Sequence, residues 1–307
     1  MSRLIHRIFI NIENLSMKKI IPAILLIVVA LSAFKIGNID INLQRSITID
    51  SLGACQGISY QSGRIFLYGD REVGMIREFK LVKDSLVYLH KEYKLTQNGQ
   101  DVISHPTGVA YNGVGPTFMG NSVKMNPEGT IWKTNIYCID WNALLKKGTL
   151  DGPLLNTIDD DACIQGTRPE YVKYHNKWYV ATADYGDHGN EVRLYDPEKL
   201  KNCKKTSEPG VLFKKFVCTP WVQNLNWIAD KGLLVLIQNK IEGRQWRFTY
   251  VDLEKSIDAG KQIVVSQVDH IDRGDELEGF SFIGSDQKGI AVTSSRANNV
   301  SFMNISW

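Results

Sequence analysis

Glu278-Gly279-Phe280-Ser281-Phe282 is the stretch on which the reading of this 307-residue chain turns, because its layout occurs four more times upstream. Gln56-Gly57-Ile58-Ser59-Tyr60, Thr107-Gly108-Val109-Ala110-Tyr111, Glu170-Tyr171-Val172-Lys173-Tyr174 and Gln223-Asn224-Leu225-Asn226-Trp227 follow the same order. Each has a polar residue, then usually a small one, an apolar one, a small or polar one, and an aromatic. The starts lie 51, 63, 53 and 55 residues apart. A second marker keeps a similar period. Tyr137-Cys138-Ile139-Asp140, Arg193-Leu194-Tyr195-Asp196 and Tyr250-Val251-Asp252 each end a strand-like run at an aspartate, and the aspartates are spaced 56 and 56. A helix-forming segment follows each, with Pro197 at the favoured first helical position, so these aspartates read as helix caps and not as catalytic groups.

Self-similarity at this period, in a chain of short strands, is the signature of a propeller or solenoid. The first repeat holds four strands, near 56–60, 64–68, 76–82 and 86–95, joined by turn residues such as Gln61-Ser62-Gly63. The last repeat has room for three, near 278–283, 289–294 and 300–305. Residues 39–50 alternate apolar and polar like a half-buried strand and belong to no complete repeat. Pairing that spare strand into the last repeat removes the open edges of an unclosed array. The expected fold is therefore an all-β propeller of five four-stranded blades, closed by an N-terminal strand. The longest interval between repeats is filled by a helical insert at 141–148.

Composition suits this. The chain is 43% apolar and 22% charged, ordinary for a protein with a large core, and it carries 25 Gly and 30 aromatic residues (7 Trp, 12 Tyr, 11 Phe). Net charge is +3 with both signs interspersed and no basic stripe, which argues against nucleic acid as a partner. The first 37 residues differ. Lys18-Lys19 precedes an apolar run from Ile20 to Phe34, the pattern of a secretory signal. The run is shorter than the roughly 20 residues that span a bilayer. Residues 1–37 thus read as a cleaved signal peptide or an uncleaved signal anchor, with a buried N-terminal helix as the alternative, and 38–307 as the propeller domain. The expected location is outside the cytoplasm: periplasmic, extracellular, or attached to a membrane through residues 20–34. Five cysteines without zinc spacing fit one or two disulfides, or five separate buried thiols.

In a propeller the innermost strand of each blade lines the central channel, and its entry end faces a funnel. That places Gln56, His105, Thr107, Arg168, Glu170, Gln223, Asn224 and Glu278 around one cavity, expected to take a small molecule, glycan or peptide. Glu170 and Glu278 are the acids at the repeated position, and with His105 they form the candidate catalytic set, able to divide acid and base roles. Gln56, Arg168, Asn224, Arg71 and Arg296 are candidate ligand-binding residues, the two arginines matching in position on loops after second strands. A hard divalent cation such as calcium takes side-chain oxygens, which makes Glu278, Asn224 and Asp184 the candidate metal set. Asp184 lies in Asp184-Tyr185-Gly186-Asp187-His188-Gly189-Asn190-Glu191, which also suits a tight turn. The run Asp159-Asp160-Asp161 reads as a solvated loop. No G-x-S-x-G is present.

The blade motifs over residues 39–307 resemble the secreted five- and six-bladed β-propellers, including the glutamine cyclotransferase-like and gluconolactonase-like groups. The first resemblance rests on Gln56-Gly57 and implies a catalytic Glu-Gly in the next blade, where this chain has Thr107-Gly108. The second rests on Glu278-Gly279 and implies a divalent metal held in the channel by Glu, Asn and Asp. What the residues themselves support is a binding propeller that presents its funnel, with a metal-assisted hydrolase using Glu278 and Glu170 as the alternative.

Overall fold

The computed structural model describes residues 38–307 other than 51, 53, 71, 129, 164, 240–244 and 272. Five antiparallel four-stranded sheets account for nearly all the strands. Blade 1 is Cys55–Gln61, Arg64–Asp70, Gly74–Val82 and Ser85–Lys94, and blade 2 is Pro106–Ala110, Thr117–Lys124, Trp132–Ile139 and Leu154–Asp159. Blade 3 is Glu170–Tyr174, Lys177–Ala183, Glu191–Tyr195 and Leu212–Val217, and blade 4 is Val222–Ile228, Leu233–Asn239, Trp246–Asp252 and Val264–Ile271. Blade 5 has Leu277–Ile283, Ser285–Thr293 and Val300–Ser306, and takes its fourth strand from Asp40–Ile47. The expected closure is therefore observed. Asp40 pairs with Ser306 and Ile47 with Val300, with one irregularity between Leu43 and Arg45. Beyond the strand, Asn299 brackets Ile49, accepting from its N–H and donating to its carbonyl, each at 2.9 Å.

Local chemistry explains the elements. Ser62 and Gly63 both have positive φ, 51° and 82°, which is the two-residue hairpin turn that matches the twist of the flanking strands. The three repeated aspartates cap the helices Trp141–Lys147, Pro197–Asn202 and Leu253–Ala259: Ala143, Glu198 and Lys255 donate their N–H groups to Asp140, Asp196 and Asp252 at 2.9, 3.0 and 3.0 Å. Trp141 and Leu144 of the first helix pack into the core between blades 1 and 2, with Trp141 edge-on to Phe66 at 5.3 Å. Similar apolar layers lie between blades 2 and 3, 3 and 4, and 5 and 1, so the core sits between the faces of neighbouring sheets.

The glycine of the repeat has a packing reason. A Cβ on Gly279 would lie 2.7 Å from Gly57 Cα, and one on Gly108 would lie 3.0 Å from Pro169 Cδ. Inner strands of adjacent blades converge at this level, and only a residue without a side chain lets them meet.

Two sequence readings are corrected here. Asp160 is fully buried and not a solvated loop residue: it accepts from Tyr195 at 3.0 Å and Thr206 at 2.8 Å. Asp184 is also fully buried. It is gripped by Arg193, whose two terminal nitrogens donate at 3.1 and 2.8 Å, and it accepts the Glu191 N–H at 3.1 Å. The position expected to seat a cation is filled by the chain's own guanidinium. All five cysteines are free thiols, four of them buried. The expectation for residues 1–37 lies outside the described residues, among which no helix is long and apolar enough to cross a membrane.

Candidate functional site

A backbone device aims Gln56, Gln223 and Glu278 into the channel, whereas Thr107 at the same position turns its hydroxyl to the Thr167 carbonyl. In four blades the pairing between the inner strand and its neighbour skips one residue: Cys55 pairs with Gly69 and Gly57 with Tyr68, Pro106 with Asn121 and Gly108 with Gly120, Val222 with Gln238 and Asn224 with Ile237, Leu277 with Thr293 and Gly279 with Val292. The skipped residues are Gln56, Thr107, Gln223 and Glu278. A bulge of this kind bends the strand and redirects one side chain.

Gln56, His105, Arg168, Gln223, Glu276 and Glu278 line a funnel of about 690 Å³ at the entry ends of the inner strands. Blade 3 contributes Arg168, not Glu170. Its inner strand pairs from Glu170 onward without a skip. Arg168, two residues earlier, stands level with Gln56, Gln223 and Glu278, and Pro169 occupies the close-approach position beside Gly108. Glu170 and Asn224 instead line a separate cavity at the far ends of the inner strands, about 230 Å³ in volume. The two glutamates expected to work together are thus on opposite mouths of the channel.

Arg168 is 6% exposed. Nη2 donates to Gln223 Oε1 at 3.1 Å, and the guanidinium lies 5.1 Å from the centre of the Tyr185 ring. Among the described residues, its Nε and Nη1 have no hydrogen-bond partner. Gly166 makes room for it, since a Cβ there would fall 2.0 Å from Nη1. Gln223 passes the network on, donating to Glu276 Oε1 at 3.1 Å, and Tyr185 donates to the same oxygen at 3.2 Å. Glu278 is pushed up to about 8, first by burial and then by the Glu276 charge, with Arg168 and Ser294 acting the other way. Burial therefore favours its neutral acid form over the carboxylate. Across the funnel, His105 Nδ1 lies 2.6 Å from Asp70 Oδ2, and the His105 N–H is held by Asn121 at 2.7 Å. With Nδ1 engaged by Asp70, Nε2 is the ring nitrogen left to meet a ligand.

The raised Glu278 sets a pH dependence. Between about 4.5 and 8 the folded protein keeps a proton on Glu278 that the unfolded chain has released, so stability falls as pH rises through that window. The slope is at most about 1.4 kcal/mol per pH unit for one group. Glu278→Gln is expected to raise Tm at pH 8.5 and to change it little at pH 4.5. Melting curves at the two pH values check this, and an equal shift at both contradicts it.

Of the remaining expected residues, Arg296 is exposed and outside the funnel lining, and Arg71 falls outside the described residues. The expected metal set is dispersed: Glu278 is in the funnel, Asn224 at the opposite mouth, and Asp184 in its pair with Arg193. Among the described residues no group of three His, Cys, Asp or Glu side chains is placed to hold a metal ion. Asp70 as the partner of His105, and Glu276 and Tyr185 in the Arg168 network, are site members that the repeat did not single out. Glu276 carried a signal, an acid two positions before Glu278.

No family model and no curated protein matches the sequence. The fold does have solved relatives. The Myxococcus xanthus glutaminyl cyclase matches 87% of this chain and 95% of its own at TM-score 0.50, with 12% sequence identity. The GH43 endo-arabinanase from Bacillus licheniformis matches 85% of this chain and 96% of its own at TM-score 0.47, with 13% identity. The chain has the β-propeller fold. At this identity the likeness is one of fold alone.

Proposed function

We propose that the wide funnel recognises a polar ligand, a glycan or peptide segment or a similar small molecule, by docking an acceptor oxygen of the ligand on Arg168. The observation that carries this is the buried guanidinium at the wall of a cavity of about 690 Å³, with two nitrogens that have no partner among the described residues. A buried cation without a close counter-charge is costly to keep. A ligand carbonyl, carboxylate or hydroxyl oxygen satisfies it. Neutral Glu278 then donates to the ligand, while Gln56 and Glu276 supply further polar contacts. The apolar N-terminal run supports a location outside the cytoplasm for this activity.

Arg168→Met separates recognition from folding. Losing a hydrogen bond from a charged group costs about 1.5–3 kcal/mol of binding, tenfold or more in affinity. Tm is expected to stay level or rise, because the substitution removes a buried charge. Calorimetric titration of ligands selected from glycan and peptide arrays, with melting curves of both proteins, checks the pair of outcomes. Unchanged affinity, or a large fall in Tm, contradicts the reading.

A second reading, an enzyme, is favoured by one contact. The 2.6 Å pairing of His105 with Asp70 orients an imidazole base in the same funnel as the protonated Glu278. Such a pair suits proton removal by His105 Nε2 and proton donation by Glu278.

A further inference from the structure

The cavity at the far ends of the inner strands has a composition unlike the funnel. Its lining contains eight aromatic residues, one carboxyl group, Glu170, and no Lys, Arg or His. Tyr68 reaches it by lying across Gly57, where a Cβ would fall 2.3 Å from the ring. Phe280 and Phe282 meet edge to face at 5.0 Å, and Tyr171 and Trp178 do so at 5.9 Å, which fixes the wall. Tyr60, Tyr111 and Phe282 are half-buried, so the cavity is open to entry past them.

Among the described residues, Glu170 is the one carboxyl group in this lining. One of its oxygens accepts the Tyr171 N–H at 2.7 Å. Among the described residues no Lys, Arg or His lies within ion-pair range of it. Lys173, outside the lining, is 4.7 Å from the centre of the Trp178 ring, so a ring of this wall already receives an ammonium.

We infer that this mouth is a binding site for a small organic cation of the alkylammonium class, surrounded by the aromatic rings and neutralised by the Glu170 carboxylate. The faces of Tyr and Trp rings attract cations, and that attraction is strongest where water is excluded. Glu170 is half-buried among these rings, and desolvation pushes it up to about 8, so its charged form lacks a counter-charge there. An entering cation supplies the missing charge, and Glu170 releases its proton to solvent as the pair forms. The volume of about 230 Å³ suits a ligand of a few heavy atoms. The site shares no side chain with the funnel, and the inference does not depend on what the funnel binds.

The test is titration of the full chain with choline, followed by tryptophan fluorescence and calorimetry, with 3,3-dimethylbutanol as the neutral analogue of the same shape. Choline is expected to bind saturably at one site, and the neutral analogue roughly tenfold or more weaker. Glu170→Gln, with an unchanged melting profile, is expected to weaken choline by a similar factor. Heat measured in buffers of different ionisation enthalpy is expected to show proton release near pH 7 in the wild type and none in Glu170→Gln. Equal binding of the neutral analogue, or a choline response no larger than that of sodium chloride at the same ionic strength, overturns the inference. The neutral-analogue arm uses the wild-type protein and stands even if the variant is unstable.

Discussion

Removal of residues 39–50 is expected to abolish cooperative folding of the propeller, while removal of 1–35 leaves the melting transition intact. The reason is topological. Strand Asp40–Ile47 is the fourth strand of blade 5, and without it Val300–Ser306 becomes an open edge with unpaired N–H and C=O groups. The apolar loss is large as well. Ile39 and Ile41 are 5% and 2% exposed. Full burial of such side chains is worth about 1.5–3 kcal/mol each, against a total stability of about 5–15 kcal/mol for an ordinary domain. The deletion also removes the Ser46–Ser301 contact at 2.8 Å and the clamp of Asn299 on Ile49. Circular dichroism melts of the two truncations check this, and a peptide of residues 38–50 added in trans should restore the transition. A deletion that melts within a few degrees of the full chain contradicts the closure.

The second large effect is at the buried pair of blade 3. Asp184 and Arg193 are 0% and 3% exposed in their side chains and meet through two parallel hydrogen bonds. Arg193→Ala leaves a buried carboxylate without its counter-charge, a change that costs about 3–5 kcal/mol. At about 2–4 °C per kcal/mol for a domain of this size, Tm falls by roughly 10 °C. The double replacement Asp184→Leu with Arg193→Met removes both charges and is expected to cost less than either alone. A denaturant double-mutant cycle measures the coupling. If the single change costs under about 1 kcal/mol, the pair does not anchor blade 3.

The sequence carried the fold because the repeat is a packing requirement. Inner strands that converge on an axis need a small residue at one level, which gives Gly57, Gly108 and Gly279, and helices that leave a strand need caps, which gives Asp140, Asp196 and Asp252. The site was legible in part, for the same reason. Gln56, Gln223 and Glu278 sit on bulges that the repeat encodes, so periodicity locates them. Blade 3 lacks the bulge, and matching Glu170 to Gln56 shifts its register by two residues. That shift moves Glu170 to the other mouth and brings Arg168 into the funnel. Contacts made by residues outside the repeated positions left no period to read. Asp70 with His105 is one such contact, and Asp184 with Arg193 is another, in which a loop that looked ready for a metal is satisfied by its own arginine.

Recognition in the wide funnel is the central claim, and a ligand-bound crystal structure tests it most directly. With a glycan or peptide taken from the binding screen, an acceptor oxygen of the ligand is expected at about 3 Å from Nε or Nη1 of Arg168, with Glu278 donating to a second ligand atom. A ligand seated on an outer blade edge, with Arg168 untouched and the funnel filled only by water, would contradict it.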